Sequence, residues 1–338
     1  MKKSRRNKKA GCGIAILVDA ETGHRNRDGR FVPDRASVEA YVLRALRSRY
    51  RDAVVVPFGP DVRETIAELQ RFAPGMIFNL TEWFDGNRRL DHAIVALLEV
   101  LQLPYTGTGP LGLQLCRDKA LSKQIVARLG IRVPRHFISG YPAAAAPLPP
   151  FPLLVKPQFG DGSDAIGKAS LVATPAELQR RVRLLCRHNG PAICEEFIPG
   201  RDIYVALVGN PPRVLPPIEM VIGSKRPAAP RFATYRVKND DRYAGKWRIR
   251  YRPARLGRPL LGEIVATGRK IFRALELRDY ARLDFRLTPG GQLFFIEANP
   301  NPDLSPHTYG SNVCLAGVDH AGLILSIVAA ARRRHADV

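Results

Sequence analysis

Short apolar runs alternate with amphipathic stretches over the first hundred residues. The runs "GIAILVDA" (13–20), "DAVVVPF" (52–58) and "GMIFNL" (75–80) predict buried strands, because apolar runs of this length between polar segments are typical of them. The segments "SVEAYVLRALRSRY" (37–50), "DVRETIAELQRFA" (61–73) and "LDHAIVALLEVLQ" (90–102) have the spacing of amphipathic helices. This alternation predicts a parallel α/β sheet from Gly11 to about Pro104.

The rest of the chain continues the alternation with longer elements. The segment "LGLQLCRDKALSKQIVARLG" (111–130) predicts one helix that Gly130 ends, and the alanine- and proline-rich stretch 140–150 predicts an exposed loop. A strand "FPLLVK" (151–156), a glycine-rich loop, a short strand "ASLVA" (169–173) and a helix at 174–188 follow, with Thr174 as N-cap. The stretch "RDIYVALVGN" (201–210) predicts a strand and 261–277 a long helix. The whole pattern predicts an α/β protein.

The segment "YARLDFRLTPGGQLFFIEAN" (280–299) predicts a β-hairpin with "PG" in the middle of its turn. Alternate residues of a strand share a face, so Asp284 lies on the same face as Arg282. Asp284 pairs across the hairpin with either Phe295 or Glu297, depending on the register. In both registers Glu297 and Asn299 lie on the same face of the hairpin as Asp284. Two carboxylates and an amide oxygen suit Mg²⁺ that bridges phosphate oxygens. The alternative is a solvent-facing hairpin with ordinary polar residues.

The glycine-rich loop "PQFGDGSDAIGK" (157–168) contains a near match to the Walker A pattern, "GSDAIGKA". We reject this match, because Ala169 replaces the hydroxyl that should bind Mg²⁺ and a strand follows where a helix must begin. Lys156 precedes the loop directly, and the loop's backbone amides can hold phosphates while this lysine neutralises them. Lys156 is therefore the predicted phosphate lysine, and a plain surface turn is the alternative.

The formal net charge of +22 over 338 residues first favours a polyanionic partner. Part of that charge lies in "MKKSRRNKK" at the start, which is too charged to fold alone, and in "RRRH" near the end. The other arginines are scattered without the interleaved aromatic residues of a nucleic-acid stacking platform. ATP accounts for interior basic residues equally well, so we do not predict a dedicated nucleic-acid-binding protein.

The sequence also bears on the cellular compartment. No apolar run approaches the ~18 residues of a membrane span. The start resembles a signal peptide, but the apolar part of "AGCGIAILVDA" ends at Asp19 after about six residues, so we interpret it as a buried strand. The cysteines have no CxxC spacing, which is typical of reduced thiols in a cytoplasmic protein: Cys12, Cys116, Cys186, Cys194 and Cys314.

Six motifs resemble the D-alanine–D-alanine ligase branch of the ATP-grasp superfamily, in family order and at family spacing. They are "LPYTGTG", "CRDKALSK", "FPLLVKPQFGDGS", "ICEEFIPGRDIYVALVGN", "TYRVK" and "RLDFRL…FFIEANPNP". The resemblance runs from about Phe78 to Pro306. It implies an ATP-grasp fold, in which two antiparallel-sheet lobes clamp ATP. The implied domains are a basic disordered tail (1–10), an N-terminal α/β domain (11–110), a central lobe (111–194) and a C-terminal lobe with the metal site (195–338).

The same resemblance implies roles for individual residues. Lys119 and Lys156 would contact the phosphates of ATP, and Ser163 would bind ATP as well. Lys238 would reach the terminal phosphate from a closing loop, and Arg282 matches the oxyanion-stabilising arginine. The other implied residues are those at adenine and ribose (Glu195, Glu196, Ile198, Asp202) and the Mg²⁺ or Mn²⁺ ligands (Asp284, Glu297, Asn299). Tyr235 and Asp303 are candidate substrate residues, and Asp303 is assigned from its place in the loop that follows the metal strand.

Three departures limit what the resemblance carries over. The family's N-terminal signature for the first substrate's ammonium is absent, since the chain reads "DAETGHRNRDGRF" after its first strand. The serine pair of the glycine loop is Ser163–Asp164 here, and Asp303 stands where the ligases have glycine. Nucleotide chemistry is therefore predicted, and D-alanine specificity is not.

We predict an ATP-dependent carboxylate–amine ligase, similar to D-alanine–D-alanine ligase, that activates a carboxylate as an acyl phosphate. Its substrates are small amino acids or amines, and the family implies a homodimer. One alternative is a ligase for other amino acids or amines in natural-product or peptide biosynthesis. Another is a catalytically silent protein that binds ATP or a polyanion. Asp303 either selects a larger or cationic substrate or caps its own loop.

Overall fold

The computed structural model describes residues 13–139, 148–160, 163, 165–224, 226, 229, 231–305 and 317–336. The predictions for the tail 1–10, for most of the loop 140–150 and for Cys12 and Cys314 lie outside this range. None of the helices within these ranges is long and apolar enough to cross a membrane.

The first part of the chain forms a parallel sheet with helices packed against it. Its elements are β1 (Ile14–Asp19), β2 (Gly23–Arg25), β3 (Phe31–Pro33), α1 (Val38–Arg47), β4 (Val54–Phe58), α2 (Val62–Phe72), β5 (Met76–Asn79) and α3 (Asp91–Val100). The parallel strands have the order β4–β1–β5, and every residue of β1 is buried. The three predicted strands and three predicted helices are confirmed, because their apolar positions supply the core between sheet and helices.

The middle of the chain forms a four-stranded antiparallel sheet with the order β6–β9–β7–β8. Its elements are α4 (Pro110–Arg117), α5 (Lys119–Arg128), β6 (His136–Ile138), β7 (Leu153–Pro157), β8 (Leu171–Val172), α6 (Pro175–Asn189) and β9 (Ala192–Glu196). Thr174 caps α6 as predicted, since its side chain accepts the backbone N–H of Glu177. This sheet forms one wall of the cleft described below.

The prediction of one continuous helix over 111–130 is wrong, because the helix breaks at Asp118. This residue is extended (φ −84°, ψ 98°), and its carboxylate accepts the backbone N–H groups of Ala120 and Leu121. Asp118 also accepts a hydrogen bond from the side chain of Gln158 at 2.9 Å. Capping at Asp118 outweighs helix propagation, so Lys119 becomes the first residue of α5.

The last part of the chain forms a six-stranded antiparallel sheet. Its elements are β10 (Arg201–Val208), β11 (Arg213–Val214), β12 (Ile218–Ile222), α7 (Tyr235–Asn239), α8 (Asp241–Trp247), β13 (Ile249–Pro253), α9 (Arg258–Ala274), β14 (Tyr280–Leu287), β15 (Leu293–Asn299) and α10 (His320–Ala336). The order is β13–β12–β10–β14–β15, with β11 beside β10. Helix α10 returns to pack against α1 and joins the core of the first sheet. The domain boundaries stay predictions.

The hairpin β14–β15 resolves the two registers that the sequence left open. Asp284 pairs with Glu297, whereas Phe285 pairs with Phe295, so Ile296 is the extra residue of a β-bulge. Arg282 pairs with Asn299, which places all four polar residues on one face of the sheet. The shared face predicted from strand periodicity is confirmed.

The loop after β15 is fixed to the "LPYTGTG" segment before α4. Thr108 donates its backbone N–H to Oδ1 of Asn301 at 2.9 Å and its hydroxyl to the carbonyl of Pro300 at 3.2 Å. Gly107 has a φ of +96°, and a Cβ there would lie 2.6 Å from Oδ1 of Asn301. The positive φ favours glycine at this position, and the missing Cβ lets the side chain of Asn301 approach closely.

Asp19 ends β1 as a buried carboxyl group. Its Oδ2 accepts the backbone N–H of Glu82 at 3.0 Å, and its Oδ1 is buried with no hydrogen-bond partner among the described residues. Burial raises the pKa of Asp19 from its ordinary value of 3.8 to about 7, and the charge of Glu82 adds to this effect. The group therefore holds its proton more tightly in the folded state than in the unfolded state.

We expect Asp19→Asn to stabilise the protein increasingly as the pH rises from 4 to 8. A carboxyl group with a raised folded-state pKa costs stability once the unfolded chain ionises, and this cost levels off above the folded pKa of about 7. Because each pKa unit is worth about 1.4 kcal/mol, the gain at pH 8 is at most about 4 kcal/mol. Thermal unfolding at several pH values measures it, with the exposed Asp28→Asn as the control. A difference in stability between Asp19→Asn and the wild type that does not change with pH would contradict the assignment of this effect to ionisation of Asp19.

Candidate active site

The predicted site residues gather in a cleft between the four-stranded and six-stranded sheets. One cavity of about 680 Å³, counting space open to solvent, is lined by Lys156, Ser163, Glu195, Glu196, Ile198, Asp202, Lys238, Asp284 and Glu297. An adjoining cavity of about 1890 Å³, measured the same way, is lined by Lys119, Lys238, Arg282, Glu297, Asn299 and Asp303. Glu297, Lys238 and Tyr204 line both and so mark the junction. Of the predicted residues, Tyr235 alone lines neither cavity.

Tyr235 begins α7 with its side chain about half exposed. Its backbone N–H donates to the carbonyl of Ile166 at 3.0 Å, which ties α7 to the end of the glycine-rich loop. The capping of α7 by Thr234 then holds Lys238 over the cleft. The contact with substrate that the sequence suggested for Tyr235 stays a prediction.

A buried carboxylate, Glu195, lies between two buried ammonium groups at the back of the cleft. Its Oε1 is 2.8 Å from Nζ of Lys123, and its Oε2 is 3.1 Å from Nζ of Lys156. Lys123 is fully buried and also donates to the carbonyl of Ile296. Lys123 was not among the predicted site residues, although its spacing of four residues from Lys119 on one helix places both on the same face.

Burial and charge compete in the pKa values of this cluster. Burial alone would raise the pKa of Glu195, but the ammonium groups of Lys123 and Lys156 hold it below its ordinary value. Burial lowers the pKa of Lys123 to about 8 although Glu195 opposes it. Burial would also lower the pKa of Lys156, but the charges of Glu195 and Glu297 outweigh burial and raise this pKa. The cluster is charged at neutral pH.

The polar face of the hairpin lies opposite this cluster. Arg282 binds Asp284 through two hydrogen bonds, Nε to Oδ1 at 2.7 Å and Nη2 to Oδ2 at 3.0 Å. Burial raises the pKa of Asp284, with Arg282 opposing and Glu297 adding to the rise. Burial would also raise the pKa of Glu297, yet Lys156, Lys119 and Lys238 lower it to about 2. Glu297 is therefore an ionised acceptor surrounded by lysines.

The oxygen donors on this face fit a hard divalent cation. No group of three or more His, Cys, Asp or Glu side chains suitable for a metal occurs in the described part of the chain. The candidate set is instead two carboxylates and an amide, Asp284, Glu297 and Asn299, which leaves positions for phosphate oxygens and water. Nδ2 of Asn299 is buried without a hydrogen-bond partner in the described part of the chain, whereas a cation would bind the amide oxygen Oδ1 of this side chain.

The opposite end of the smaller cavity is built around Asp202 and Ile198. Asp202 accepts a hydrogen bond from Nη1 of Arg286 at 2.8 Å, and Nε of Arg286 donates to the carbonyl of Ile198 at 3.0 Å. Oε1 of Glu196 accepts the backbone N–H of Arg135 at 3.1 Å. The apolar lining here includes Phe232, which was not predicted from the sequence. This end is an apolar slot with a carboxylate at its rim.

The glycine-rich loop and Lys119 complete the region between the two ends. Nζ of Lys119 donates to the carbonyl of Gly160, and Ser163 lines the smaller cavity with a φ of +66°. Residues 168–170 form a short 3-10 turn that leads into β8, so no helix follows the loop. Lys168 is exposed, with Nζ 5.5 Å from the ring centroid of Trp247. The rejection of a Walker A site is confirmed.

Asp303 both lines the larger cavity and caps its own loop. Its Oδ1 accepts the backbone N–H of Ser305 at 2.7 Å, and its Oδ2 accepts the hydroxyl of Ser305 at 3.2 Å. The side chain is exposed to the cavity. The two interpretations given above for Asp303 are therefore compatible.

The paired sheets and the cleft between them define an ATP-grasp protein. The family described as "D-ala D-ala ligase C-terminus" matches residues 144–329. The chain therefore belongs to the D-ala D-ala ligase family, as the motifs predicted, and it is an ATP-dependent ligase.

Relatives and solved structures agree with this membership. The chain is 36% identical over 282 residues to the uncharacterized protein y4sG of Sinorhizobium fredii, covering 80% of this chain and 81% of that protein. It is 32% identical over 246 residues to a D-alanine–D-alanine ligase of Nitratidesulfovibrio vulgaris, covering 72% and 77%. The D-alanine–D-alanine ligase of Bacillus anthracis, solved in complex with ATP, shares the fold with a TM-score of 0.72 at 19% identity, over 97% of this chain and 99% of that one.

Lys156→Ala should weaken ATP binding at least about ten-fold, because a charged hydrogen-bonding group contributes about 1.5–3 kcal/mol. Lys168→Ala serves as the matched control and should bind ATP like the wild type, since Lys168 is exposed beside Trp247. Titration calorimetry with ATP and Mg²⁺ measures both dissociation constants. A loss of affinity in Lys168→Ala with none in Lys156→Ala would show that the wrong lysine is assigned.

Proposed function

We propose that the protein joins a carboxylate to an amine through an acyl-phosphate intermediate, with ATP in the smaller cavity and the two substrates in the larger one. The observation that carries this proposal is the junction of the cavities at Glu297 and Lys238. A group transferred from ATP to a substrate must cross such a junction. The cationic Lys238 and the ionised Glu297 stand at the point of transfer.

The charge of the cleft supports a magnesium–nucleotide ligand. The back of the cleft, between the Glu195 cluster and the polar face of the hairpin, holds the cationic side chains of Lys119, Lys123, Lys156, Lys238 and Arg282 and the carboxylates of Glu195, Asp284 and Glu297. This part of the cleft therefore suits the phosphate end of MgATP²⁻, whereas the lining farther out also carries the carboxylates of Glu196, Asp202 and Asp303. Since burial weakens screening by water, this complementarity acts strongly at the back of the cleft.

At the nucleotide end, we propose that Glu196 and Ile198 line the adenine and that Asp202 binds the ribose hydroxyls. The side chain of Glu195 pairs with Lys123 and Lys156. Its effect on the adenine edge is therefore indirect, because it fixes the position of Lys156 and balances the charge of that lysine. Lys119, Lys156 and the loop around Ser163 bind the phosphates. Helix α7 then brings Lys238 against the terminal phosphate.

Asp284, Glu297 and Asn299 would hold Mg²⁺, for which Mn²⁺ is the alternative ion. The ion supplies neutralisation of charge on the transferring phosphoryl group. The substrate carboxylate oxygen forms a bond to the γ-phosphorus as the bond to the β,γ-bridging oxygen breaks, and ADP leaves. The neutral amine then attacks the acyl carbon and forms the C–N bond, the bond from that carbon to the phosphate-bearing oxygen breaks with its electron pair leaving on phosphate, and the departing phosphate accepts the proton that the nitrogen loses. Asp284 orients Arg282, and Arg282 stabilises the tetrahedral oxyanion that exists between the attack of the amine and the departure of phosphate.

The substrate proposal is broader than D-alanine. The larger cavity is lined by several carboxylates, among them Glu82, Asp91 and Asp303, and a carboxylate attracts an ammonium or guanidinium group. Glu82 and Asp91 are balanced by Arg88 and Arg117, respectively. We therefore propose amino acid or amine substrates, at least one of them larger than alanine or cationic. A homodimer and a cytoplasmic location stay predictions.

Glu297→Gln should reduce turnover at least about 10²-fold, the scale of one electrostatic contact in a transition state. Glutamine keeps the shape but loses the charge that holds the ion next to the lysines. The control is Glu219→Gln, which removes a buried carboxylate bound by Arg201 and Arg252 outside both cavities. ADP release measures both variants. Near-normal activity of Glu297→Gln, with the fold intact by circular dichroism, would reject the site.

Two substitutions at Asp303 separate charge from loop capping. Asp303→Asn keeps an acceptor oxygen for Ser305 and loses the charge, whereas Asp303→Gly loses both. If the charge selects the substrate, both variants should lose preference for cationic substrates in an ADP-release panel of D- and L-amino acids and amines. A change in Asp303→Gly alone would assign a capping role. Efficient D-alanine dimerisation by the wild type, unchanged in both variants, would refute the broader substrate proposal.

A further inference from the structure

Lys123 connects the two sheets that enclose the cleft. It lies on α5, a helix that contacts both β6 of the four-stranded sheet and β15 of the six-stranded sheet, and its ammonium group is 2.8 Å from Glu195 on β9. The same ammonium group donates to the carbonyl of Ile296 on β15, in the six-stranded sheet. One fully buried side chain thus bonds to both walls.

The contact with Ile296 is at the irregular point of the hairpin. Ile296 is the extra residue of the β-bulge and directly precedes Glu297 in β15. An extra residue disturbs the regular ladder, so its carbonyl needs another donor to fix the local backbone. Lys123 supplies that donor, and the next side chain along the strand is the proposed metal ligand.

The contact with Glu195 acts on the phosphate lysine. Glu195 divides its two oxygens between Lys123 and Lys156. Because Oε1 of Glu195 lies beside the ammonium group of Lys123, Lys156 at the cavity wall is paired with Oε2. Lys123 therefore influences the phosphate lysine through the carboxylate that both ammonium groups share.

We propose that Lys123 is a positioning residue, which sets the separation between the phosphate lysine Lys156 and the metal ligand Glu297 across the two sheets. This inference rests on the function proposed above for Lys156 and Glu297. Lys123 lines neither cavity itself, so it acts through Glu195 and Ile296. A buried ion cluster adds little stability relative to apolar side chains of the same size, which favours a role in geometry over one in stability.

The test is titration calorimetry of the non-hydrolysable ATP analogue AMPPNP at several Mg²⁺ concentrations, which requires no second substrate. Lys123→Met removes both contacts and leaves Glu195 paired with Lys156. Lys123→Gln keeps a donor for Ile296 and removes the charge next to Glu195. Arg334→Met is the control, because it removes a partly buried cation that pairs with the buried Asp279, and neither residue lines a cavity.

We expect Lys123→Met to raise the dissociation constant of Mg–AMPPNP at least ten-fold and to raise the Mg²⁺ concentration needed for binding. Lys123→Gln should retain the wild-type Mg²⁺ requirement while losing affinity. Arg334→Met should lower the melting temperature and bind like the wild type. If Lys123→Met does not fold, the affinity of Lys123→Gln for Mg–AMPPNP decides the question.

The inference is overturned if the folded Lys123 variants melt at lower temperature but bind Mg–AMPPNP like the wild type, because a purely structural lysine would behave in that way. A wild type that binds no nucleotide would instead reject the proposed function itself. The two failures are therefore distinguishable.

Discussion

The carboxylate of Glu195, held between the ammonium groups of Lys123 and Lys156, is the interaction on which the cleft depends. Three buried charges can coexist only where each finds a partner, because the cost of an isolated buried ion exceeds what packing provides. The arrangement requires α5, β7 and β9 to hold fixed positions relative to one another. It also leaves an excess positive charge, which Glu297 on the facing sheet and a polyphosphate ligand can both use.

Local irregularities position the side chains of this site. Asp118 interrupts a helix and makes Lys119 the first residue of α5, and the bulge at Ile296 brings Glu297 opposite Asp284. At the start of α5, Lys119 donates to the carbonyl of Gly160 in the glycine-rich loop. Regular elements supply rigidity, and the breaks between them determine the direction of the functional groups.

Local patterns predicted the parts of the site that follow a fixed period. Strand periodicity placed Asp284, Glu297 and Asn299 on a shared face, and a cap residue followed by proline marked the start of α6 at Thr174. Lys123 was missed because a lysine in an amphipathic helix usually faces solvent, and only long-range contacts with Glu195 and Ile296 explain its burial. The break at Asp118 was missed for a related reason, since capping competes with helix propensity and Gln158, forty residues away, supports the outcome.

The framework around the cleft is fixed by contacts of the backbone, whereas the residues proposed to face substrate are exposed side chains. Thr108 holds the loop after β15 next to Gly107, and this loop carries Asp303 into the larger cavity. At the end of β1, Oδ2 of Asp19 accepts the backbone N–H of Glu82. This hydrogen bond fixes the segment that carries Glu82 into the same cavity. Because the scaffold is anchored by backbone contacts, the exposed carboxylates can vary without moving the nucleotide site. Nucleotide chemistry and substrate choice are therefore physically separable in this fold, and family membership constrains the first far more than the second.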